Sequence, residues 1–176
     1  MPMGKLRDIS PGILILDYGD SPHENLYLDK TLGTSKINVL EGVADVHEER
    51  FGDAPVDTVS KGTVVTIDWA ITRPSTRDLK EIFPNKFDIQ SGNELILKNC
   101  AGYAYFENSV PAVVVPIVCD VPSTDRSEWV YFWHVHPVMS FELGYDRDGQ
   151  RTYQTQFKVY PVQTPARFGQ LCKVGV

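Results

Sequence analysis

The sequence predicts a mainly β fold: an antiparallel β-sandwich or barrel with one short flanking α-helix and one long β-hairpin arm. Three observations predict it. Short runs of alternating or β-branched residues recur with turn signals every ten or so residues. Only residues 75–83 show helical spacing between a capping residue and a proline. Residues 35–72 read as two long strands joined by a Gly/Pro-bearing loop, Phe51-Gly52-Asp53-Ala54-Pro55.

A chain of 176 residues with 42% hydrophobic and 11% aromatic content is long enough to bury a real core, and is read as one domain over 1–176. Residues 1–11 are read as an N-terminal arm. A net charge of −6 with no basic cluster excludes tight phosphate binding, which needs Lys and Arg to neutralise the backbone. Ile13-Leu14-Ile15-Leu16 is too short for a signal-peptide core, and Val110 to Val118, broken by Pro111 and Pro116, is half a membrane span. The expectation is a soluble chain that is not exported and does not enter a membrane. Cys100, Cys119 and Cys172 are an odd set without CxxC spacing, expected to stay reduced.

In chain order, Gly12 to Asp17 and Leu26 to Leu28 are short strands separated by the turn cluster Tyr18-Gly19-Asp20-Ser21-Pro22. The hairpin arm, 35–72, follows. Placing Arg50 opposite Asp57 sorts its side chains into two faces. One carries Leu40, Gly42, Ala44 and Val46 against Ile67, Val65, Thr63 and Lys61. The other carries Glu41, Asp45, His47 and Glu49 against Thr66, Gly62, Ser60 and Thr58, with Asp68 further along. Seven acids against three bases give this stretch four of the chain's six net negative charges. Fourteen residues from Ile37 to Arg50 would span roughly 46 Å, against about 17–20 Å for a usual strand. Such a ribbon is marginal alone, and its edges invite pairing with other chains. Two readings are open from the ribbon alone: a subunit wall of an aqueous channel, or a solvated hairpin projecting from a β-sandwich.

The helix over 75–83 takes Ser75 or Thr76 as its cap, Asp78 in the first turn and Pro84 as its stop. Leu79, Ile82 and Phe83 form one apolar face that must lie on the sheet. Glu94 to Lys98, Gly102 to Phe106 and Ala112 to Val118 read as strands, with Pro111 and Pro116 placing the last on an edge or at a bulge. From Trp129 to Leu143, Val130, Phe132, His134, His136 and Val138 are expected on one side, with Trp129, Tyr131, Trp133 and Val135 on the other. Asp146-Arg147-Asp148-Gly149 is a hairpin turn. Thr152 to Tyr160 returns with Tyr153, Thr155, Phe157 and Val159 on one face.

His134-Val135-His136 is the one metal-like spacing, since residues two apart on a strand share a face. Glu142 is displaced from the position a cupin-type site uses, and no third histidine follows. Two half-buried strand histidines beside tryptophans fit better than a metal pair. GxSxG, HExxH and Gly-rich phosphate loops are absent. No catalytic residue, metal or cofactor is expected. A cupin-like metal-dependent enzyme stands as the rival of a different class.

The order of parts is more telling. An N-terminal strand and Leu32-Gly33-Thr34 lead into an acidic hairpin with the corner GDAPVDTVSKG. The capped TRPSTRDLKEIF segment and the YDRDGQRTYQTQFKVYP hairpin come after it. Over roughly residues 12–165 this resembles the tail tube proteins, or major tail proteins, of long-tailed bacteriophages. The resemblance implies a virion tail component made in the host cytoplasm, whose hexameric rings stack into a hollow conduit for the genome. It also implies partners: further copies of itself, a tape measure protein, tail terminator and distal tail proteins, and DNA in transient passage without sequence specificity. Glu41, Asp45, Glu49 and Asp68 would line the lumen, and Leu40, Val46, Val65 and Ile67 would join subunits. Another head–tail connector or tail terminator, forming a single ring, is the nearer alternative. An acidic wall suits a DNA channel, because each Lys or Arg would add a phosphate contact and slow passage.

Overall fold

A computed structural model of the chain describes residues 12–17, 26–28, 35–47, 50, 55–72, 75–89, 94–99, 101–118, 121–138 and 152–175. The strands are β1 (Gly12–Leu16), β2 (Leu26–Leu28), β3 (Lys36–His47), β4 (Pro55–Thr72), β5 (Phe87–Ile89), β6 (Leu95–Leu97), β7 (Val110–Val118), β8 (Val121–Pro122), β9 (Val130–Val138), β10 (Thr152–Val159) and β11 (Cys172–Val174). The one α-helix among the described residues is α1 (Thr76–Ile82). A nine-stranded antiparallel sheet runs β2-β1-β7-β9-β10-β4-β3, with β11 added to β9 and β8 to β7, while β5 and β6 pair separately. The protein is therefore mainly antiparallel β, with a single α-helix among the described residues, as the sequence predicts.

The sheet curls back on itself. β4 is separated from β1 by three strands in the sheet order, yet the Trp69 indole of β4 reaches β1 and β2. Its Nε1 donates to the Leu28 carbonyl at 3.2 Å. Its ring lies against Gly12, where an added Cβ would sit 3.3 Å from Cη2. Around this closure Leu14, Leu16, Val65, Ile67, Ile71, Phe132, Phe157 and Val159 form the core. The register of β10 on β4 sets Tyr153, Thr155, Phe157 and Val159 opposite Ile71, Trp69, Ile67 and Val65, so two period-2 rows fill one interior.

Helix α1 begins with a reciprocal cap. Ser75 Oγ accepts from the Asp78 amide at 3.1 Å, and the Asp78 carboxylate accepts from the Ser75 amide at 2.8 Å. Leu79 and Ile82 are buried on the core, with Phe83 beside them at the C-cap. At two turns the helix depends on that packing rather than on propensity.

Two expectations are corrected and one is narrowed. Gly102 to Phe106 is not a strand: turns interrupt it, and Tyr103 and Tyr105 meet edge to face at 5.6 Å. Of the edge or bulge expected for the proline-bearing strand, the bulge holds: β7 lies between β1 and β9. Its prolines are tolerated because Pro111 sits at the register shift between Val110 and Ala112, and Pro116 lies beyond the pairing with β9, which ends at Val114. At that shift Trp133 and His134 together oppose Pro111, so the alternation of β9 changes parity. Phe132 and Val135 consequently both face the core, opposite Ala112 and Val159, while His136 pairs with exposed Lys158 on the other side. The N-terminal arm, the 146–149 turn, Cys100 and Cys119 lie outside the described residues. Cys172 is a free thiol whose pKa burial pushes up.

Thr155 is buried, and its hydroxyl has no hydrogen-bond partner, whereas Phe157 two residues on is fully packed. Thr155→Val is expected to raise the urea midpoint by about 1 kcal/mol of stability, because an uncompensated hydroxyl is removed. Phe157→Ala is expected to cost roughly 3–5 kcal/mol. Equilibrium urea denaturation followed by circular dichroism measures both.

Candidate functional site

The feature that stands apart from the core is the β3–β4 ribbon. β4 has 18 residues, of which only Val65 to Thr72 pair with β10; Pro55 to Val64 pair with β3 alone. The boundary is abrupt. Val64 is 58% exposed and Val65 2%. Every residue from Pro55 to Val64 is exposed, as is all of Val39 to His47 except half-buried Ala44. Ten such residues at roughly 3.3 Å each carry the ribbon about 30 Å beyond the body.

The ladder sets Leu40 opposite Val64 and Gly42 opposite Gly62, and then shifts so that Val43 meets Ser60 and Val46 meets Asp57. Lys61 is left unpaired at the shift. Gly62 takes φ +110°, a conformation that favours glycine, and Ser60 Oγ accepts from the Gly62 amide at 3.2 Å. The expected register is thus wrong by three residues at Leu40, which was placed opposite Ile67, and by four at Val46, placed opposite Lys61. The odd offset changes the company of half the ribbon.

Leu40 and Val46 do share a face, and their companions across the ladder are Val64, Val59 and Asp57. Glu41 and Asp45 also share a face, with exposed Val43 between them, exposed Val39 beyond Glu41, and Thr63, Ser60 and Thr58 opposite. Thr58 Oγ1 donates to Asp45 at 2.9 Å. Val65 and Ile67 are corrected: they lie on the Glu41 side and are buried in this chain's own core, at 2% and 0% exposure, so their side chains are already covered. Asp68 is corrected too. It sits on the Leu40 side at the root of the ribbon, where Asn38 Nδ2 donates to it at 2.7 Å and Gln156 Nε2 at 3.0 Å, with Lys36 Nζ at 3.7 Å. That carboxylate ties β3, β4 and β10 together rather than extending the acidic row. Glu49 lies outside the described residues.

The two β9 histidines have separate surroundings. Ser109 Oγ donates to the Phe106 carbonyl at 2.6 Å, so His134 Nδ1, 3.0 Å from that hydroxyl, is the donor to it. His136 Nδ1 donates to the Pro137 carbonyl at 2.8 Å, and its ring packs 4.8 Å from Tyr105 and 5.7 Å from Tyr103. Tyr103 in turn accepts from Asn85 Nδ2. Among the described residues no group of three or more His, Cys, Asp and Glu is placed to hold one ion. None of their helices is long and apolar enough to cross a membrane. No protein-family model matches the chain, and no curated protein matches it either. The ribbon's two exposed faces, one aliphatic and one carrying Glu41 and Asp45 beside Val39 and Val43, stand apart from the core.

Burial pushes the His136 imidazole below its ordinary value; the Pro137 carbonyl opposes the shift and Lys86 adds to it. The unfolded chain takes up this proton near pH ~6.5, and the folded chain only at lower pH. The stability associated with neutral His136 is thus complete above the unfolded value and is lost as pH falls through the folded one. The urea midpoint is expected to drop between pH 7.5 and 5.5, and His136→Gln to flatten that drop. Paired denaturation curves at the two pH values check it.

Proposed function

We propose that this chain is a structural virion protein that assembles with itself through the β3–β4 ribbon into hexameric rings stacked as a tail tube. The observation that carries the reading is the projecting ribbon, with Leu40, Val46, Val59 and Val64 exposed on one face of its outer part, where β3 and β4 pair only with each other. These side chains are 42–67% exposed, so covering each is worth about half of the roughly 1.5–3 kcal/mol of a full burial, before the cost of association. A soluble monomer gains nothing from leaving that row in water, and an assembled one gains it four times per subunit. The resemblance in element order to tail tube proteins supplies the ring and the stack, along with a tape measure protein, terminator and distal tail proteins as partners. The chain is proposed to have no enzymatic activity.

In this arrangement the apolar face is covered by a neighbour and the opposite face looks into the lumen. Glu41 and Asp45 are the carboxylates on that face, which also carries exposed Val39 and Val43 and, across the ladder, the hydroxyls of Thr58, Ser60 and Thr63. Hydroxyls and carboxylates hold water and offer no fixed cation to a passing polyanion.

Negative-stain microscopy and sedimentation of the purified chain test the reading: rings and tubes are expected, single rings alone would favour a connector, and monomers at all concentrations would sink it. Leu40→Asp together with Val64→Asp is expected to leave a folded monomer by circular dichroism. A second expectation concerns the lumen. Glu41→Lys with Asp45→Lys should slow genome ejection from reconstituted particles at low salt while leaving tubes intact, and unaltered ejection would remove these residues from the channel wall.

A further inference from the structure

The loop after β10 presents one aromatic side chain to solvent. Phe168 is 77% exposed, more than any other large apolar side chain among the described residues. Its backbone is tightly held. Residues 162–170 fold back on buried Val162, whose amide donates to the Gln170 carbonyl at 2.9 Å and whose carbonyl accepts from the Gly169 amide at 2.8 Å. The Gln170 amide closes on the Arg167 carbonyl at 3.0 Å, with Phe168 at φ −51°, ψ 128° and Gly169 at φ +79°. Those are the dihedrals of a type II turn, which needs a glycine at its third position and sets Phe168 at the corner. Side chains also tie the loop to β9. Arg167 Cζ lies 5.7 Å from the Trp133 ring, as Arg126 and Lys173 lie over Trp129 and Tyr131 at 5.6 and 5.4 Å. The β9 rings are thus engaged within the chain, whereas the Phe168 ring stands in water. A ring on so fixed a backbone surrenders little conformational freedom on docking.

The ribbon has a gap of the opposite shape. On its Leu40 face the ladder pairs Leu40 with Val64, then Gly42 with Gly62, then Ala44 with Val59. The aliphatic row is therefore interrupted where two facing residues have no side chain. Over Gly62 an added Cβ would meet nothing within 4 Å. At Gly42 it would stand 3.5 Å from Lys61 Cβ, so the Lys61 stem forms one wall of the gap. A bare glycine pair in a sheet is a place where an aromatic ring settles, covering backbone that no side chain shields.

We propose that Phe168 of one copy seats in the Gly42–Gly62 notch of another copy's ribbon. This rests on the assembly reading above and names the contact that assembly uses. In shape, the ring lies between the Leu40–Val64 and Ala44–Val59 pairs, with the Lys61 ammonium beside it. Charge agrees. Arg167, next to Phe168, has no carboxylate partner among the described residues, and exposed Asp57, across from Val46 on the same ribbon face, has no cationic one. Knob and notch lie on different parts of one chain, so the contact is head to tail. It repeats from copy to copy instead of stopping at a dimer. Docking through the Leu40 face leaves Glu41 and Asp45 on the other side of the ribbon.

Filling the notch tests the contact. Gly42, unlike Gly62, does not take a positive φ, and an added Cβ there meets only ordinary contacts. Gly42→Val is therefore expected to keep the wild-type circular dichroism spectrum and a urea midpoint no lower than the wild type's. In sedimentation velocity it should nevertheless need about tenfold more protein to assemble, whereas a merely adhesive apolar ribbon would assemble as well or better. Phe168→Ala is expected to give a similar loss with the fold unchanged. The double variant should be no worse than the weaker single, because both changes break one contact. Assembly of Gly42→Val at the wild-type concentration, or losses that multiply in the double variant, overturns the seat while the tube reading stands. A second arm does not depend on how the notch variant folds. Phe168→Asp and Leu40→Asp/Val64→Asp are each expected to stay monomeric. Their equimolar mixture should form heterodimers that grow no further, since one intact knob meets one intact notch. A mixture still monomeric at about tenfold the wild-type assembly concentration also overturns the seat. A wild-type chain that is monomeric throughout overturns both readings.

Discussion

One uninterrupted strand, β4, belongs to two environments, and the rest of the structure depends on how its alternation is pinned. From Val65 to Ile71 its odd-numbered side chains are fixed inward by β10 and by the seating of Trp69 on Gly12 and the Leu28 carbonyl. A strand has a period of two, so that choice also dictates which side chains face which way beyond the body. The cross-strand ladder passes the decision to β3, and the shift at Ser60–Gly62 resets the pairing once before the outer end. The core therefore determines what the ribbon shows to other molecules.

Much of this was legible in the residues. β1, β2, β10 and α1 come out within a residue of their expected bounds, because each has an alternating or capped pattern with turn signals on both sides. The ribbon's existence and its two-strand character were legible for the same reason. Within one strand, that Leu40 and Val46 share a face, and Glu41 and Asp45 the other, follows from the period alone. What lies across from them does not. A register extrapolated from the turn holds only along an unbroken ladder, and the irregularity at Gly62 leaves little trace in composition. Asp68, Val65 and Ile67 were misplaced by that single error.

The same limit explains the histidines. Even spacing put His134 and His136 on the side of Phe132, but the bulge opposite Pro111 separates them from it. Pro111 was the available sign, since a proline inside an otherwise central strand requires an interruption of the ladder. β5, β8 and β11, with two or three residues each, are too short to show any period. The cations over the β9 rings come from residues 126, 167 and 173, which only the fold brings together.

The facing pair Gly42 and Gly62 carries a mechanical consequence. Elsewhere along the ribbon, opposed side chains stiffen the two strands by touching across the ladder, but here neither residue has one, and the adjacent shift drops a rung. Bending stiffness is lowest at this point, partway between the root held by Asp68 and the outer end. A force applied to the outer half is taken up as flexure at the glycine joint before it reaches the interior packing. In the proposed assembly, such a joint lets neighbouring copies meet over a range of angles while each keeps the same rigid body.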